Sequence, residues 1–235
     1  MQTIQLHGVS IHNTTLPEAV NYALSGEHSP CWVVTPNAVM LDACRREPQN
    51  AVLLSQADLA IPDGAGVLLA AKRQGTPLSC RVAGIEFGEA LLGRAAEQGL
   101  RVFLLGGGEG VADEAAIRLR ERYPALCICG TCWGYFDKSG EEDRRISAYV
   151  RSCRPDILFV CFGFPLQERW IEEHLHLLDG VRVVAGLGGS LDVWSGHLRR
   201  APKSLSRMGM EWAWRMVQEP KRLRQLPAIL RFLHK

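Results

Sequence analysis

The sequence has no uninterrupted apolar stretch that is long enough to cross a membrane as a helix. Such a helix takes about 18 to 20 consecutive apolar residues, and polar residues interrupt every apolar run of this 235-residue chain well before that length. The N-terminus also lacks the basic and then apolar layout of a secretory signal peptide. We therefore exclude a membrane-spanning protein and expect a cytoplasmic one.

Two familiar nucleotide-binding loops are missing or incomplete. No Gly-x-x-x-x-Gly-Lys-Ser/Thr segment occurs, which excludes a P-loop NTPase. Gly106-x-Gly108 begins like a dinucleotide fingerprint, but Val111 stands where the third glycine belongs, so a nucleotide-dependent oxidoreductase is kept only as an alternative. The loop still lets a phosphate approach the backbone before a helix, although a tight strand-to-helix turn explains it equally well.

Paired metal-binding clusters are also absent from the sequence. Cys127-x-Cys129-x-x-Cys132 has no second cluster after it, and structural zinc sites usually need two. His174 and His176 fall on a predicted helix, where their spacing puts the rings on different faces, so we interpret them as surface residues. We predict no metal ion and no cofactor, and we expect reduced cysteines that pack as small apolar residues.

What the sequence does have is a strongly basic C-terminal segment. Residues 199–235 contain ten Lys or Arg and two acids, a net charge of +8, whereas the whole chain is only +2, so residues 1–198 carry −6. Trp212, Trp214 and Phe232 stand among these charges, and Trp194 lies just before them. Such a segment suggests an anionic target, which is a phosphate, an anionic membrane surface or a nucleic acid.

Short apolar runs alternate with longer amphipathic ones along residues 1–198. This alternation predicts an α/β domain with a Rossmann-like, mostly parallel sheet and helices on both faces. The predicted strands are Cys31–Thr35, Ala57–Ile61, Arg101–Leu105, Leu126–Gly130, Asp156–Cys161 and Val181–Ala185. The predicted helices are Pro17–Ser25, Ala38–Arg46, Gly64–Gln74, Phe87–Gln98, Val111–Arg122, Glu141–Ser152 and Leu166–Leu177.

Residues 199–235 are predicted to form a separate basic helical appendage. A helical pattern runs from about Ser204, and Pro220 and Pro227 interrupt it, so we expect two or three short helices. A stripe of leucines recurs at helical spacing, namely Leu223, Leu226, Leu230 and Leu233. The stripe can pack on the domain, on a second copy of the chain or in the headgroup region of a membrane, and the sequence leaves all three open.

Polar side chains follow several of the predicted strands. In open parallel sheets, ligands bind beyond the carboxyl ends of the strands. Asp63 follows an apolar strand and precedes Gly64, so we interpret it as a general base that projects into a cleft, with capping of the next helix as the alternative. Thr35 and Asn37 leave a neighbouring strand and are candidates either to hydrogen-bond a sugar or to cap a helix.

A series of short motifs occurs in one order between Cys31 and Arg224, and the ordered set is specific although each motif alone is weak. The motifs are Thr35-Pro36-Asn37, Pro62-Asp63-Gly64-x-Gly66, Arg81-Val82-x-Gly84, Phe103-Leu104-Leu105-Gly106-Gly107, Gly134-Tyr135-Phe136, Gly163-x-Pro165-x-Gln167-Glu168-x-Trp170, Gly188-Gly189-x-x-Asp192-x-x-x-Gly196, Arg200-Ala201-Pro202, Glu211-Trp212-x-x-Arg215 and Glu219-Pro220-x-Arg222. In these residues the chain resembles the WecG/TagA/CpsF family of bacterial glycosyltransferases.

The resemblance implies an enzyme that transfers a sugar, with inversion, from a UDP-sugar donor to a polyprenyl-diphosphate-linked sugar. Known members move N-acetylmannosamine, its uronic acid or glucose in the assembly of teichoic acid, common antigen or exopolysaccharide. It further implies that the appendage completes the active site and aids peripheral association with the inner face of the cytoplasmic membrane. The chain departs from the family's pattern at Glu86, where aspartate is common, so the sugar stays open.

The motifs also carry over the expected roles of single residues. Asp63 corresponds to the proposed catalytic base. The resemblance places pocket residues at Thr35, Asn37, Arg81 and Gln167, with Glu168 beside them, and it places the nucleotide diphosphate near Gly106, Gly107, Gly188, Gly189, Arg215, Arg222 and Arg224.

The sequence also lacks the Asp-x-Asp tripeptide with which many glycosyltransferases hold a metal. A cluster of arginines can instead bind the diphosphate and stabilise the charge that develops on it, so we hypothesise a metal-independent reaction. A nucleic-acid-binding module would explain the basic segment but not the polar strand ends. We therefore predict no nucleic-acid partner, and we leave self-association of the chain open.

Overall fold

The fold is built on a six-stranded sheet in which every neighbouring pair of strands is parallel. The computed structural model describes residues 1–202, 205 and 210–233. A short antiparallel hairpin comes first, β1 (Thr3–Leu6) and β2 (Val9–His12). The sheet strands are β3 (Cys31–Val34), β4 (Leu59–Ala60), β5 (Arg101–Gly106), β6 (Cys127–Cys132), β7 (Ile157–Cys161) and β8 (Val183–Gly186). They lie in the order β4-β3-β8-β7-β5-β6.

Helices cover both faces of this sheet. In chain order they are α1 (Leu16–Leu24), α2 (Ala38–Arg46), α3 (Pro48–Ser55), α4 (Ala65–Arg73), α5 (Gly84–Gln98), α6 (Val111–Arg122), α7 (Glu141–Ser152), α8 (Leu166–His174) and α9 (Ser190–Trp194). Successive strand residues alternate between two buried cores, so Val33 and Leu104 pack with α1, α5 and α6, whereas Val34 and Leu105 pack with α2, α7 and α8. The predicted α/β class with helices on both faces is confirmed.

The predicted strands and helices are all present, with ends that differ by at most three residues. Among the described residues, three elements were not predicted, namely the β1–β2 hairpin, α3 and the short α9. Thr15 and Glu18 form the capping box of α1, in which the Thr15 N–H donates to the Glu18 carboxylate at 2.7 Å. All eight cysteines are unpaired.

From residue 210 to residue 233 the C-terminal segment forms two short helices, α10 (Glu211–Gln218) and α11 (Leu226–Leu233), joined by a 3₁₀ segment at Pro220–Gln225. Helix α11 lies against α2 and α4, with Ile229 and Phe232 buried. The predicted start near Ser204 lies outside the described residues. The division at residue 198 remains a prediction.

Two leucines of the appendage stripe face solvent. Leu223 and Leu230 are 54% and 45% exposed, whereas Ala228, Ile229 and Phe232 of α11 are buried. Nη2 of Arg231 donates to the buried carboxylate of Asp42 at 2.8 Å and ties α11 to α2. No helix in the described part of the chain is both long and apolar enough to span a membrane.

One metal-site candidate from the sequence, His174, has other surroundings in the fold. His174 is buried rather than on the surface, and its Nε2 lies 2.9 Å from Oδ2 of Asp143, which corrects our interpretation of this residue. The helix turns this ring toward α7, a tertiary contact that the His-x-His spacing does not reveal. Within residues 1–202, 205 and 210–233, no three His, Cys, Asp or Glu side chains converge as they would to hold a metal ion.

Candidate active site

A cleft of about 460 Å³ lies beyond the carboxyl ends of β4, β3 and β8. The loops that follow these three strands form its floor, and the appendage forms its opposite wall. Six of the predicted site residues line it, namely Thr35, Asn37, Asp63, Arg81, Arg215 and Arg222. The cleft therefore joins residues from both ends of the chain at the position where parallel sheets bind ligands.

Asp63 projects into the cleft from the turn between β4 and α4. Its N–H donates to the Pro36 carbonyl at 3.0 Å, which fixes the turn against the loop after β3. The next residue, Gly64, has φ of 101° and occupies the capping position of α4, where no side chain caps the helix. Asp63 thus does not cap α4, and the backbone N–H of Gly84 instead favours the ionised form of its carboxylate and so lowers its pKa.

The surroundings of Asp63 hold its pKa above that of an ordinary aspartate. Burial under the appendage is the largest effect, and it raises the pKa of Asp63 to about 6 although Arg215 and Arg81 favour the ionised form. Glu211 acts in the same direction as burial because it adds a second negative charge. A carboxylate with this pKa is mostly ionised at neutral pH and is still basic enough to take a proton.

Thr35 and Asn37 form the part of the floor that follows β3. The Thr35 hydroxyl donates to the Gly186 carbonyl at 3.3 Å and so links β3 to β8. Asn37 caps α2, since its Oδ1 accepts from the N–H groups of Val39 and Met40 at 3.0 and 3.2 Å. The capping interpretation therefore holds for Asn37, which also lines the cleft.

Arg81 connects the domain to the appendage across the cleft. Its Nη1 donates to Oε2 of Glu211 at 2.8 Å, and its Nη2 lies 3.8 Å from Oε1 of Glu86. Arg200 donates to Glu86 and Glu89 on the same side. Ion pairs of Arg200 and Glu211 thus hold the C-terminal segment against the start of α5.

Two further arginines lie on the appendage side, close to the loop after β8. Burial and the neighbouring charge of Arg222 lower the pKa of Arg215. Nε of Arg222 donates to Glu219 at 2.6 Å. A Cβ built on Gly189 would lie 3.3 Å from Nη2 of Arg222. Two guanidinium groups this close repel each other, and Asp192 and Glu219 offset part of their charge, so an anion placed between them would be favoured.

The other predicted site residues lie outside the lining of this cleft. Gln167 and Glu168 are buried behind the loop after β8, and Arg224 is exposed on the 3₁₀ segment. The glycines after β5 and β8 do not line it either, and they are Gly106, Gly107, Gly188 and Gly189. Gly189 nevertheless lies next to the guanidinium group of Arg222, because a Cβ built on it would lie 3.3 Å from Nη2. The cleft therefore contains the predicted base and most of the predicted arginines, but not the glycine-rich loop after β5.

Sequence reasoning did not single out Glu211, Arg200 or Glu86 as site residues. All three are charged, and they pair with each other or with Arg81 at the cleft. The motifs that contain Glu211 and Arg200 were a signal for their importance, but spacing along the chain does not reveal a contact that spans more than a hundred residues.

The arrangement combines a base with groups that stabilise a leaving anion. Asp63 can accept a proton from a bound hydroxyl, while Arg81, Arg215 and Arg222 can neutralise charge that develops on a diphosphate. The required parts of a displacement reaction therefore face one cleft.

Comparisons with known proteins agree with this chemistry. Residues 4–235 match the sequence profile described as the Glycosyl transferase WecG/TagA/CpsF family. A relative from Bacillus spizizenii is 31% identical over 99% of this chain and 90% of its own length. One from Staphylococcus aureus is 31% identical over 99% of this chain and 91% of its own length. Both are called N-acetylglucosaminyldiphosphoundecaprenol N-acetyl-beta-D-mannosaminyltransferase.

Proposed function

Because the chain belongs to the WecG/TagA/CpsF family of glycosyltransferases, we propose that it transfers N-acetylmannosamine from a UDP-linked donor to an N-acetylglucosamine that is carried on a polyprenyl diphosphate. The acceptor and the transferred sugar are those in the names of the relatives. The single observation that carries the proposal is the position of Asp63 between Arg81 and Arg215 in one cleft.

The proposed reaction is a single displacement at the anomeric carbon of the donor. Asp63 takes the proton of the acceptor hydroxyl as its oxygen forms the new bond to that carbon. The bond from the anomeric carbon to the diphosphate breaks, and its electron pair leaves with UDP. Since UDP-hexosamines are α-linked and the relatives' names specify a β product, one displacement with inversion accounts for the stereochemistry.

The appendage arginines are proposed to stabilise the departing UDP. Arg215 and Arg222 lie on the cleft wall opposite Asp63. Burial and, after it, the neighbouring charge of Arg222 lower the pKa of Arg215. An anion between them removes this repulsion, and it does so most strongly when the diphosphate gains charge in the transition state. We therefore expect turnover without a divalent metal, so that EDTA leaves the initial rate unchanged.

The appendage also fits a peripheral contact with the membrane that holds the acceptor. Its outer surface combines exposed Leu223 and Leu230 with the basic residues Lys221 and Arg224. Each Lys or Arg near an anionic surface contributes about 1 kcal/mol, which salt screens. Such a contact would present the cleft to a lipid-linked acceptor at the inner face of the cytoplasmic membrane.

Product analysis tests the proposed function directly. Purified protein is given UDP-linked N-acetylmannosamine, its uronic acid or glucose in separate reactions, each with a short-chain lipid-diphosphate N-acetylglucosamine acceptor. Mass spectrometry is expected to show one added N-acetylhexosamine, with or without EDTA. Addition of only the uronic acid or glucose would contradict the proposed donor, and an unchanged acceptor in every reaction would contradict the transferase.

Liposome sedimentation tests the membrane contact separately. The full chain is expected to sediment with anionic vesicles and to be released by salt, whereas a form truncated after Ala201 is expected to stay in the supernatant. Equal sedimentation of the two forms would remove the appendage from this role.

A further inference from the structure

The loop after β8 is where the domain meets the appendage arginines. It runs from Gly186 to Gly189, and Leu187 within it and Ser190 just after it line the cleft. Gly189 lies close to the guanidinium groups, since a Cβ built there would lie 3.3 Å from Arg222 and 4.0 Å from Arg215. This loop therefore lies next to the groups that are proposed to bind the diphosphate.

Gln167 holds this loop from behind. Its Oε1 accepts hydrogen bonds from the N–H of Gly163 at 3.1 Å and from the N–H of Gly188 at 3.0 Å, so one side chain joins the loops after β7 and β8. Gly186 makes the contact possible, because a Cβ there would lie only 2.7 Å from Nε2 of Gln167. Gln167 is 3% exposed and does not line the cleft.

Glu168 fixes which way the Gln167 amide points. Oε1 of Glu168 accepts from Nε2 of Gln167 at 2.8 Å, and this contact leaves the amide oxygen facing the two backbone N–H groups. A flipped amide would set its NH₂ group against those two donors and would lose both bonds to the glycines. Glu168 has no exposed surface, and its Oε2 has no hydrogen-bond partner in the described part of the chain.

Burial of the Glu168 carboxyl costs the protein free energy of folding. Removal from water raises the pKa of Glu168 to about 7, with the Gln167 amide as the main opposing influence. A leucine or methionine of similar size would fill the same space without an unpaired polar atom. The cost is explained if the carboxyl is needed for the orientation of Gln167.

We propose that Gln167 and Glu168 are a positioning pair, in which Glu168 orients Gln167 and Gln167 holds the Gly186–Gly189 loop at the distance from Arg215 and Arg222 that the diphosphate requires. Neither side chain touches the substrate. This inference rests on the proposed function for its catalytic part, but the hydrogen-bond arrangement can be tested without turnover.

An exchange of the two side chains separates positioning from substrate contact. In Gln167→Glu, the oxygen that replaces Nε2 faces an oxygen of Glu168. At pH 8.5, above the pKa of Glu168 of about 7, the two carboxylates repel each other, so the loop loses its support. In the double variant Gln167→Glu/Glu168→Gln, the amide at position 168 donates to the carboxylate at position 167, and that carboxylate still accepts from both glycines. If Gln167 contacted the substrate directly, a changed partner at position 168 would not restore the activity that Gln167→Glu loses.

The experiment measures kcat/KM for the UDP-sugar and amide hydrogen exchange of the Gly188 segment in the wild type, the single variant and the double variant. Exposed Gln98 at the end of α5 provides the matched control Gln98→Glu. We expect Gln167→Glu to lose about 10- to 100-fold in kcat/KM, as small displacements in a site do, and to lose protection at Gly188. The double variant is expected to regain both to within about threefold, since it remakes the three hydrogen bonds.

Two results would overturn the positioning pair. In the first, Gln167→Glu shows normal amide hydrogen exchange at Gly188 but a lower kcat/KM that the double variant does not restore. This result would make Gln167 a substrate contact. The other is unchanged rate and unchanged exchange in Gln167→Glu. If the wild type shows no transfer, the proposed function fails, but the exchange data and calorimetric UDP binding still decide whether the pair supports this loop.

Discussion

The raised pKa of Asp63 predicts a specific pH dependence for the enzyme. A general base must be ionised to accept a proton, so kcat/KM should fall as the pH drops through the pKa of Asp63 in the free enzyme, about 6. One unit below that pKa, at pH 5, only about one-tenth of the carboxyl is ionised, and the rate should be about one-tenth of its plateau above pH 7. The shift from 3.8 to about 6 corresponds to about 3 kcal/mol against the ionised form.

The fall of kcat/KM at low pH is the acidic limb of the pH profile. Removal of one charge near Asp63 should shift this limb along the pH axis in a known direction. Glu211 contributes to the raised pKa of Asp63 and also pairs with Arg81 at 2.8 Å. In Glu211→Gln the negative charge is gone, so Asp63 ionises more easily and the limb should move below pH 6. A shift of about one unit would raise the relative rate at pH 5 from about one-tenth to about one-half of the plateau.

The assay is the initial rate of UDP release at subsaturating donor and acceptor, followed from pH 4.5 to 8.5. Gln98→Glu serves as a control that adds charge at the far end of α5 and should leave the limb in place. A wild-type profile that stays flat between pH 5 and 8 would refute the assignment of Asp63 as base. A limb that moves to higher pH in Glu211→Gln would refute the electrostatic reasoning.

Three other predictions concern the appendage and the buried carboxyl. Arg222→Met should lower kcat/KM by about 10²- to 10³-fold, as the loss of one charge-stabilising donor does, and exposed Arg224→Met should lose much less; equal losses in steady-state rates would place both arginines on the diphosphate. Phe232→Ala should destabilise the docking of α11 by about 3 kcal/mol, seen as faster limited proteolysis after residue 202, and unchanged cleavage would contradict the packing of this ring. Glu168 keeps its proton up to about pH 7, whereas the unfolded chain loses it near pH 4.5, so the free energy of unfolding should fall by about 3 kcal/mol over that range. Urea unfolding of Glu168→Gln should lack this part of the fall, and parallel pH curves for the two proteins would contradict the buried, protonated state.

The fold was predictable because its sheet strands are short and uniformly apolar. Runs such as Cys31–Val34 and Ile157–Cys161 are buried on both faces, and each is followed by an amphipathic helix of sufficient length. The β1–β2 hairpin was missed because its strands have only four residues each and bury only alternate side chains, such as Ile4 and Leu6. Four residues are too few to distinguish a half-buried strand from a polar terminus.

The site was predictable only as far as strand ends determine it. Asp63 and Thr35 follow neighbouring strands, so the parallel sheet brings them together at one edge. Gln167 also follows a strand, but whether its side chain faces the cleft or the loop behind it depends on the start of α8, which the sequence does not specify. The pairing of Arg81 with Glu211 depends on how the appendage docks, and no local pattern records that contact.

Acceptor-dependent UDP release by the wild type and by Asp63→Asn tests the central claim most directly. The variant keeps the size and shape of the side chain but cannot accept the proton. The wild type is expected to release UDP from UDP-N-acetylmannosamine only when the lipid-linked N-acetylglucosamine is present, and the variant is expected to be at least about 100-fold slower while it still binds UDP. Turnover by Asp63→Asn within a few fold of the wild type would contradict the account, because the proton of the acceptor would then have to leave by another route.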